Sequence, residues 1–316
     1  MKHEHKTPLE PWAAVMDYLK SLPQYLLPHH ALTGLGYRAT RIRHRAFKNF
    51  LIDTFMRLYS IDLSEAREQD PHAYPDFNSF FTRALRPDAR PLAAEPDAVV
   101  SPVDGVVSQA GEIEEGQILQ AKGRYFSVRQ LLGGSEERAA RFAGGRFVTL
   151  YLSPRDYHRI HMPCTGTLQE MIHIPGRLFG VGAHTTRVIP GVFARNERVA
   201  AIFDTAAGPM ALIMVGAMFV SCIETVWAGV VTPPRGHEVA VSDYRELPTG
   251  PVVLERGQEA GRFNMGSTVI VLFPQHGIEW LPGVRPGARV RMGQGIGVIR
   301  ADTDPNVPAE TARERA

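Results

Sequence analysis

The stretch FNMGSTVIVLF, residues Phe263 to Phe273, places a Gly-Ser-Thr triplet at the start of an apolar, β-branched run. A short, unbroken run of Val, Ile and Phe is typical of a buried strand. Similar runs recur between residues 99 and 300, separated by glycine and proline: RFVTLYL, RVAAIF and MALIMV. The pattern predicts a mostly antiparallel β domain over residues 93–300.

Two stretches of this region look alike. PVDG at 102–105 is followed by GQIL at 116–119, and PGARV at 286–290 is followed by GQGI at 293–296. Each suggests a strand, a glycine turn and a second strand, similar to the β-hairpins of biotinyl and lipoyl carrier domains. No lysine occupies the tip position that carries the cofactor in those domains.

The first sixty residues have helical patterning. Trp12, Val15, Met16 and Leu19 share one face, and a second face carries Phe47, Phe50, Leu51, Phe55 and Leu58. Breaks are predicted near Pro23, near Pro28 and at residues 34–36, and a further short helix within residues 74–92 bridges to the β domain. The predicted fold class is therefore α+β, with N-terminal amphipathic helices over residues 1–92. Residues 301–316 are polar and are predicted to be a disordered tail.

The charge of the chain is nearly balanced but unevenly placed. A net charge of +2, from 35 basic and 33 acidic residues, argues against a nucleic-acid partner. Arg41, Arg43, Arg45 and Lys48 lie beside the aromatic residues of the second helical face, as in helices that lie on a membrane surface. The alternative is that the same apolar faces pack on the rest of the protein.

Cysteine usage and the N-terminus indicate the compartment. Only two cysteines occur, Cys164 and Cys222, which predicts no disulfide framework and fits a reducing interior. The opening MKHEHKTPLEPW has no apolar core of a signal peptide. The apolar stretch from Met210 to Ile223 is too short for a transmembrane helix and is predicted to be buried core. These features predict a cytoplasmic protein.

The stretch YLSPRDYHRIHMPCTG, Tyr151 to Gly166, sets His158 and His161 three residues apart. Two histidines could form part of a metal site, but no third ligand stands nearby in a standard arrangement. Each ring could also be a structural group bonded to backbone. The third option is a general base, since histidine titrates near neutral pH.

Asp104, in SPVDG, could do no more than cap a turn. It could instead orient a histidine that serves Ser267 as base, in a Ser/His/Asp constellation. The sequence spacing does not show whether these residues meet. The chain has no Gly-x-Ser-x-Gly elbow, which argues against an ordinary α/β-hydrolase.

Several motifs, taken in order, resemble one family. They are FMRLYSIDLSEA (55–66), YPDFNSFFTRALRP (74–87), YHRIHMPCTG (157–166), FARNERV (193–199), ETVWAGVVTPPRG (224–236) and GRFNMGSTVIVLF (261–273). Together they are similar to the bacterial, pyruvoyl-dependent type of phosphatidylserine decarboxylase proenzyme, over residues 47 to 300. Met265 replaces a usual leucine and Ser221-Cys222 replaces a usual Gly-Ser, and neither change removes a reactive group.

The resemblance implies that the chain cuts itself between Gly266 and Ser267. Ser267 would become a pyruvoyl group, a self-derived cofactor at the head of residues 267–316, which would remain associated with residues 1–266. His161 would be the base for this cleavage, oriented by Asp104, and His158 would protonate the carbon that loses carbon dioxide. No metal is implied.

The resemblance also implies a substrate. The pyruvoyl ketone would form a Schiff base with the amine of phosphatidylserine and accept the electrons left by carbon dioxide, yielding phosphatidylethanolamine. Such an enzyme would act peripherally at the cytoplasmic face of the cell membrane, through the amphipathic basic helices. The alternatives are a pyruvoyl decarboxylase of a soluble amino acid or of S-adenosylmethionine, a non-enzymatic membrane-associated carrier or scaffold, and an ester hydrolase.

Overall fold

The computed structural model describes residues 11–121, 123–218, 222–232, 236–264 and 268–300. The predicted α+β class is confirmed: short helices precede mostly antiparallel sheets. The helices are α1 (Pro11–Ser21), α2 (His29–Ala39), α3 (Arg45–Tyr59), α4 (Phe77–Phe81), α5 (Val128–Leu131), α6 (Glu136–Ala140), α7 (Ala183–Val188) and α8 (Val192–Arg195), with a 3-10 turn over Leu22–Tyr25.

The strands begin at Ala98, and the predicted tail at 301–316 lies outside the described residues. They are β1 (Ala98–Val100), β2 (Gly105–Glu112), β3 (Gln117–Ala121), β4 (Arg124–Ser127), β5 (Arg146–Tyr151), β6 (Arg159–His161), β7 (Gly166–Ile174), β8 (Arg198–Thr205), β9 (Gly208–Val215), β10 (Ile223–Thr225), β11 (Gly229–Thr232), β12 (Ala240–Asp243), β13 (Val253–Leu254), β14 (Glu259–Phe263), β15 (Thr268–Phe273), β16 (Ile278–Trp280), β17 (Arg289–Val290) and β18 (Gly295–Ile299).

The N-terminal helices end at two of the three predicted breaks. The chain leaves regular α-helix around Pro23 and Pro28, but the break predicted at residues 34–36 is wrong, because α2 runs through them to Ala39. Each glycine in a helix costs about 1 kcal/mol relative to alanine. Burial of His29 and Thr33 against the rest of the protein holds α2 together despite this cost.

Polar residues fasten α1 and α2 to the β-rich part. The carboxylate of Asp17 accepts two hydrogen bonds from Arg187, at 2.7 and 2.9 Å, and Gln24 Oε1 accepts one from the Gly180 amide at 2.8 Å. His30 Nε2 donates to the Gly176 carbonyl at 3.0 Å. The usual amphipathic arrangement is therefore inverted here, with polar groups facing the protein.

The predicted apolar face of α1 is turned to solvent. Trp12, Val15, Met16 and Leu19 are between 42 and 68% exposed. Further apolar side chains of the N-terminal helical part are exposed as well: Leu22, Tyr25, Leu26, Leu27, Leu35, Ile42, Phe50 and Leu58. The alternative prediction, that this face packs on the rest of the protein, is wrong for α1.

The second predicted face divides between burial and exposure. Ile52 of α3 is fully buried with Tyr74 and the α4 phenylalanines, and Leu51 and Phe55 pack against the same cluster. Asp76 begins α4 by accepting a hydrogen bond from the Ser79 amide at 2.8 Å, as an N-cap does. This small core fixes Phe81 at the end of α4.

The prediction that Lys48 belongs to an exposed basic cluster is wrong. It is 7% exposed and donates to the His72 carbonyl at 2.7 Å. Arg43 and Arg45 are exposed, and the Arg41 guanidinium lies 3.6 Å from the centroid of the Tyr37 ring.

The large sheet has nine strands, and its path runs β12-β7-β8-β9-β15-β5-β2-β17, with β13 also paired to β7. Strand β15 lies near its middle, antiparallel to both β9 and β5, and all six of its residues are buried. Burial on both faces explains why its sequence is uniformly apolar rather than alternating. Of the apolar stretch from Met210 to Ile223, residues 210–215 lie in β9 and are buried in the same core, as predicted, whereas residues 219–221 lie outside the described residues.

A four-stranded sheet, β11-β10-β14-β6, supports the region around Gly-Ser-Thr. β14 belongs to this sheet, whereas β15, which follows it in the chain, belongs to the large sheet. The predicted cleavage segment therefore connects two sheets. The remaining strands form a three-stranded sheet, β1-β18-β16, and a β3-β4 pair.

The two look-alike stretches form strands, but not separate hairpins. β2 pairs with β17, so that Val106 is opposite Arg289 and Gly105 is opposite Val290, while β3 pairs with β4 and β18 with β1. The β2–β17 pair therefore joins the two stretches at the edge of the large sheet. Strands of a larger sheet are more stable than an isolated hairpin.

Among the described residues, no helix has both the length and the apolarity that a bilayer crossing requires.

Candidate active site

The predicted cleavage site is flanked by firmly held residues. Met265, Gly266 and Ser267 themselves lie outside the described residues. Before them, Asn264 is buried and its amide donates to the Cys222 carbonyl at 3.0 Å. After them, Thr268 is fully buried and pairs with both Tyr151 and Val215.

His158 is adjacent to the strand that leads into the cleavage segment. Its carbonyl accepts a hydrogen bond from the Phe263 amide at 3.1 Å. Its ring is fully buried and stacks on Phe81, with ring centroids 4.1 Å apart and ring planes 20° apart. Neither ring nitrogen forms a hydrogen bond of good geometry among the described residues, although the nearby backbone of Ser153 and Pro154 favours the protonated ring. A buried polar group that is poorly satisfied calls for an explanation, and a catalytic role is one such explanation.

Burial is the main cause of the unusual acidity of the His158 imidazolium. Together with the positive charge of Arg83, it lowers the pKa of His158 to about 3. The imidazole is therefore neutral at neutral pH, and both of its nitrogens lie in a dry site.

His161 lies in different surroundings. Its Nδ1 donates to the Gly257 carbonyl at 2.8 Å, which leaves Nε2 as the acceptor of the Tyr157 hydroxyl at 3.0 Å. Burial lowers the pKa of His161 as well. The imidazole is consequently held neutral, in the tautomer whose Nε2 can accept a proton.

Asp104 is anchored by an arginine. Its carboxylate accepts from Arg90 Nε at 2.9 Å and from the Met292 amide at 2.8 Å. The next residue, Gly105, passes so close to β5 that an added Cβ would lie 2.5 Å from the Tyr151 carbonyl oxygen. Only glycine fits this position, so the Asp-Gly pair is fixed by packing as well as by charge.

The predicted Ser/His/Asp constellation is not assembled by direct contacts among the described residues. Both nitrogens of His161 are already engaged without Asp104, although the Asp104 charge partly offsets the lowering of the His161 pKa. Along β14, His161 is paired with Glu259, whereas His158 is bonded to Phe263. Glu259 and Phe263 are four residues apart, so at about 3.3 Å per residue His158 is roughly 13 Å closer to the cleavage segment along this strand.

Two cavities open beside these residues. The first, here called the arginine cavity, has a volume of about 520 Å³, and its lining includes Arg83, Arg155, Arg289, Asp104 and Asp156. The second, of about 370 Å³, is lined by His161, Gly257 and Arg159 among others. Arg90, Tyr157 and Leu85 line both, so they form the wall between the two spaces.

Sequence reasoning did not select Tyr157, Arg83 or Arg90 as site residues. Tyr157 and Arg83 lie within the motifs YHRIHMPCTG and YPDFNSFFTRALRP. Their roles depend on contacts between residues that are distant in sequence, which no motif shows. Within the described ranges, no three His, Cys, Asp or Glu side chains are grouped as metal ligands.

Comparison with known proteins identifies the family. The family model described as phosphatidylserine decarboxylase matches residues 77–298. The chain belongs to the phosphatidylserine decarboxylase family. A second family model, described as PSD, matches residues 19–60. The match to the phosphatidylserine decarboxylase family model therefore covers almost all of the β-rich part, and the second match falls on the helices.

Curated relatives extend the similarity to nearly the whole chain. A phosphatidylserine decarboxylase proenzyme of Alkalilimnicola ehrlichii is 54% identical over 284 residues, covering 90% of this chain and 97% of the relative. A protein of the same name from Bordetella avium is 54% identical over 299 residues, covering 94% and 99%. One from Azotobacter vinelandii is 53% identical over 281 residues, covering 89% and 98%.

Proposed function

We propose that this chain is a phosphatidylserine decarboxylase proenzyme that cuts itself between Gly266 and Ser267 and carries the resulting pyruvoyl group on residue 267. The three relatives carry this name, and the similarity to this chain covers nearly their whole length. The structural observation that carries the proposal is His158, a fully buried histidine whose ring nitrogens lack a hydrogen bond of good geometry and which lies beside the strand that leads into Gly266-Ser267.

Self-cleavage needs only this chain and one water. The Ser267 hydroxyl attacks the Gly266 carbonyl, so that the acyl group moves from nitrogen to oxygen and an ester replaces the amide. Loss of the Ser267 α-proton expels the Gly266 carboxylate and leaves dehydroalanine. Water then replaces its nitrogen, releasing ammonia and leaving the pyruvoyl ketone. The glycine supplies an unhindered carbonyl.

The described residues fit such a group. His158 and Thr268 both place buried, unpartnered polar atoms near the cleavage segment, as expected where a further polar group binds. Once joined to the substrate amine, the pyruvoyl ketone would accept the electrons that carbon dioxide leaves behind.

His158 would handle the proton of the substrate. Because the ring is neutral at pH 7 in the free protein, it does not begin as the acid. We propose that the negative charge of the substrate carboxylate, once bound beside the ring, favours the imidazolium, so that Nδ1 or Nε2 takes a proton from the substrate ammonium and frees the amine to react. The imidazolium then returns this proton to the α-carbon after carbon dioxide leaves, so the residue ends the cycle neutral again.

His161 is proposed as the base for self-cleavage, the role that the family motif implies. Its neutral state and its Nδ1–H tautomer suit a base, and the Tyr157 hydroxyl is the group that now occupies Nε2. Asp104 would act on His161 through its charge and through the position of Arg90. The larger distance of His161 along β14 makes a separate test of the two histidines necessary.

The two chains are proposed to stay together after cleavage. Residues 267–316 include β15, β16, β17 and β18, and three of these pair with strands of the first fragment. β15 is hydrogen-bonded to β9 on one side and β5 on the other, so the second fragment cannot leave without opening the large sheet.

Peripheral binding to the cytoplasmic face of the cell membrane is also proposed. Its support is the set of exposed apolar side chains between Trp12 and Leu58, of which those of α1 are held outward by the polar contacts of Asp17 and Gln24. Exposed Arg43 and Arg45 lie in the same part of the chain and suit an anionic surface.

The activity is tested with purified protein and phosphatidylserine in detergent micelles. We expect carbon dioxide and phosphatidylethanolamine from the wild-type protein, and neither from a Ser267→Ala variant that stays a single chain. Free serine and S-adenosylmethionine should release no carbon dioxide. Decarboxylation of a soluble substrate alone would instead favour the rival decarboxylase, and full activity of the Ser267→Ala variant would refute the proposal.

A further inference from the structure

Arg83 is a buried cation that forms no ion pair among the described residues. It is 6% exposed, and the hydrogen bond that its Nη2 donates within the described part of the chain goes to the Arg155 carbonyl, at 3.2 Å. Its Nη1 is buried and has no hydrogen-bond partner among these residues, and the Phe80 ring, whose centroid lies 5.8 Å from Cζ, carries no net charge. Burial accordingly lowers the pKa of Arg83. An unpaired buried guanidinium is costly, and such a group is expected where a ligand supplies the missing charge.

Arg83 also links the arginine cavity to His158 by its charge. It lines the cavity, and its charge contributes to the low pKa of His158. Two residues earlier in the chain, Phe81 stacks on the His158 ring. A group bound by Arg83 would therefore be close to the atoms on which His158 acts.

The acids of the cavity leave an excess of positive charge. Asp104 and Glu65 are both paired with Arg90, and Glu65 is also paired with Arg291. Asp62 accepts from Ser64, and burial raises the pKa of Asp156, which accepts from the Ser153 amide. By contrast, no ion pair among the described residues includes Arg155 or Arg289, the remaining two arginines of the cavity lining, although the charges of both act on Asp156.

The chemistry of decarboxylation decides which anion Arg83 can hold. The substrate carboxylate loses its charge as carbon dioxide leaves, so a cation fixed on it would stabilise the substrate more than the transition state and slow the step. The phosphodiester keeps its charge throughout, and only an oxygen and a methylene separate its phosphorus from the α-carbon. A guanidinium also matches phosphate oxygens with two parallel donors.

We propose that Arg83 binds the headgroup phosphate of phosphatidylserine inside the arginine cavity. The inference rests on the proposed function, and it assigns the recognition of the headgroup to the bridge after α4 rather than to the helices that contact the membrane.

The test compares Arg83→Gln with wild type in detergent micelles, after a gel has shown that both have cleaved. Loss of a charge-assisted hydrogen bond should raise KM for phosphatidylserine roughly ten- to a hundredfold, with a smaller change in kcat. Glycerophosphoethanolamine, which has the phosphate but no carboxylate, should inhibit wild type competitively, and its Ki should rise by the same factor. Arg83→Lys, which keeps the charge without the planar fork, should show an intermediate Ki.

Arg67→Gln is the matched control, because it removes an exposed arginine of the same region that does not line the cavity. It should leave KM and Ki unchanged. An unchanged Ki for glycerophosphoethanolamine in Arg83→Gln, or in Arg83→Lys if the glutamine variant does not mature, would overturn the assignment. If wild type itself does not decarboxylate phosphatidylserine, the proposed function fails instead.

Discussion

At the scale of single residues, the site is built from buried groups whose charge states are set by their neighbours. The His158 ring is buried against Phe81 and is near the positive charge of Arg83, and both effects keep the imidazole neutral. His161 is kept neutral by burial and oriented by the Gly257 carbonyl and the Tyr157 hydroxyl. Two histidines in one motif thus have separate environments, which favours separate roles.

The two roles can be separated by substitution. His158→Gln should leave self-cleavage largely intact but suppress decarboxylation at least a hundredfold, because the substrate proton then has no carrier. His161→Gln should leave the chain uncleaved. Denaturing gels report cleavage, and carbon dioxide release reports turnover. If His158→Gln stayed uncleaved while His161→Gln cleaved normally, the roles of the two histidines would have to be exchanged.

The neutral state of His158 also predicts a pH dependence of stability. Its folded pKa of about 3 is below the unfolded value near 6.5, so the unfolded chain binds the extra proton between these limits. The stability contributed above pH 6.5 is therefore lost as pH falls toward 3. The loss at pH 5 should be about 2 kcal/mol.

Urea unfolding at pH 7 and pH 5 measures this effect in the uncleaved Ser267→Ala background. Adding His158→Gln should reduce the loss of stability between the two pH values by about 2 kcal/mol. His276→Asn is the control, because His276 is exposed and asparagine tolerates its positive φ of 63°. An equal loss with and without His158 would show that its ring is already protonated in the folded protein.

Asp104 is predicted to act through Arg90. Because Arg90 is 7% and Asp104 13% exposed in their side chains, Asp104→Asn should lower the free energy of unfolding by about 2 kcal/mol. Asp88→Asn, in an exposed pair with Arg86, should have almost no effect. Cleavage should slow in Asp104→Asn and also in Arg90→Met. Loss of cleavage with unchanged stability would instead support direct action of Asp104 on His161.

At the scale of elements, α1 and α2 show what sequence periodicity can and cannot predict. The spacing of Trp12, Val15, Met16 and Leu19 predicted one apolar face correctly, since all four are exposed on α1. Periodicity could not say whether that face turns inward or outward. The direction is set by Asp17 and Gln24, whose partners lie more than 150 residues away.

The apolar surface predicts a specific membrane phenotype. Leu26 is 88% exposed, so Leu26→Gln should leave the melting temperature unchanged. It should weaken binding to vesicles of phosphatidylserine and phosphatidylcholine roughly tenfold, the value of burying one leucine. Val253→Gln, an exposed apolar residue of β13, is the control and should bind normally. Equal binding of all three proteins in sedimentation assays would contradict the membrane proposal.

The β strands were more predictable than the site they support. The run TVIVLF is buried on both faces in β15, and its composition alone indicated a buried strand. Two features depend on the register between distant strands: the pairing of β2 with β17, and the pairing of Asp104 with Arg90. No local pattern encodes that register, so the sequence suggested which residues react but not how they are held.

At the scale of the whole molecule, the fold is arranged so that cutting one peptide bond does not divide it. Strands of the second fragment are interleaved with strands of the first in the large and the three-stranded sheets. The cleaved protein should therefore elute from a sizing column as one complex under native conditions and separate only in denaturant. Release of the shorter chain without denaturant would contradict this arrangement.

The central claim is that the chain manufactures its own reactive carbonyl at residue 267. Intact mass spectrometry of the active protein tests it most directly. We predict two chains, residues 1–266 and 267–316, with the shorter chain lighter by the mass of one ammonia than the same chain beginning with an ordinary serine. A single intact chain with serine at 267 in a protein that decarboxylates phosphatidylserine would contradict the account.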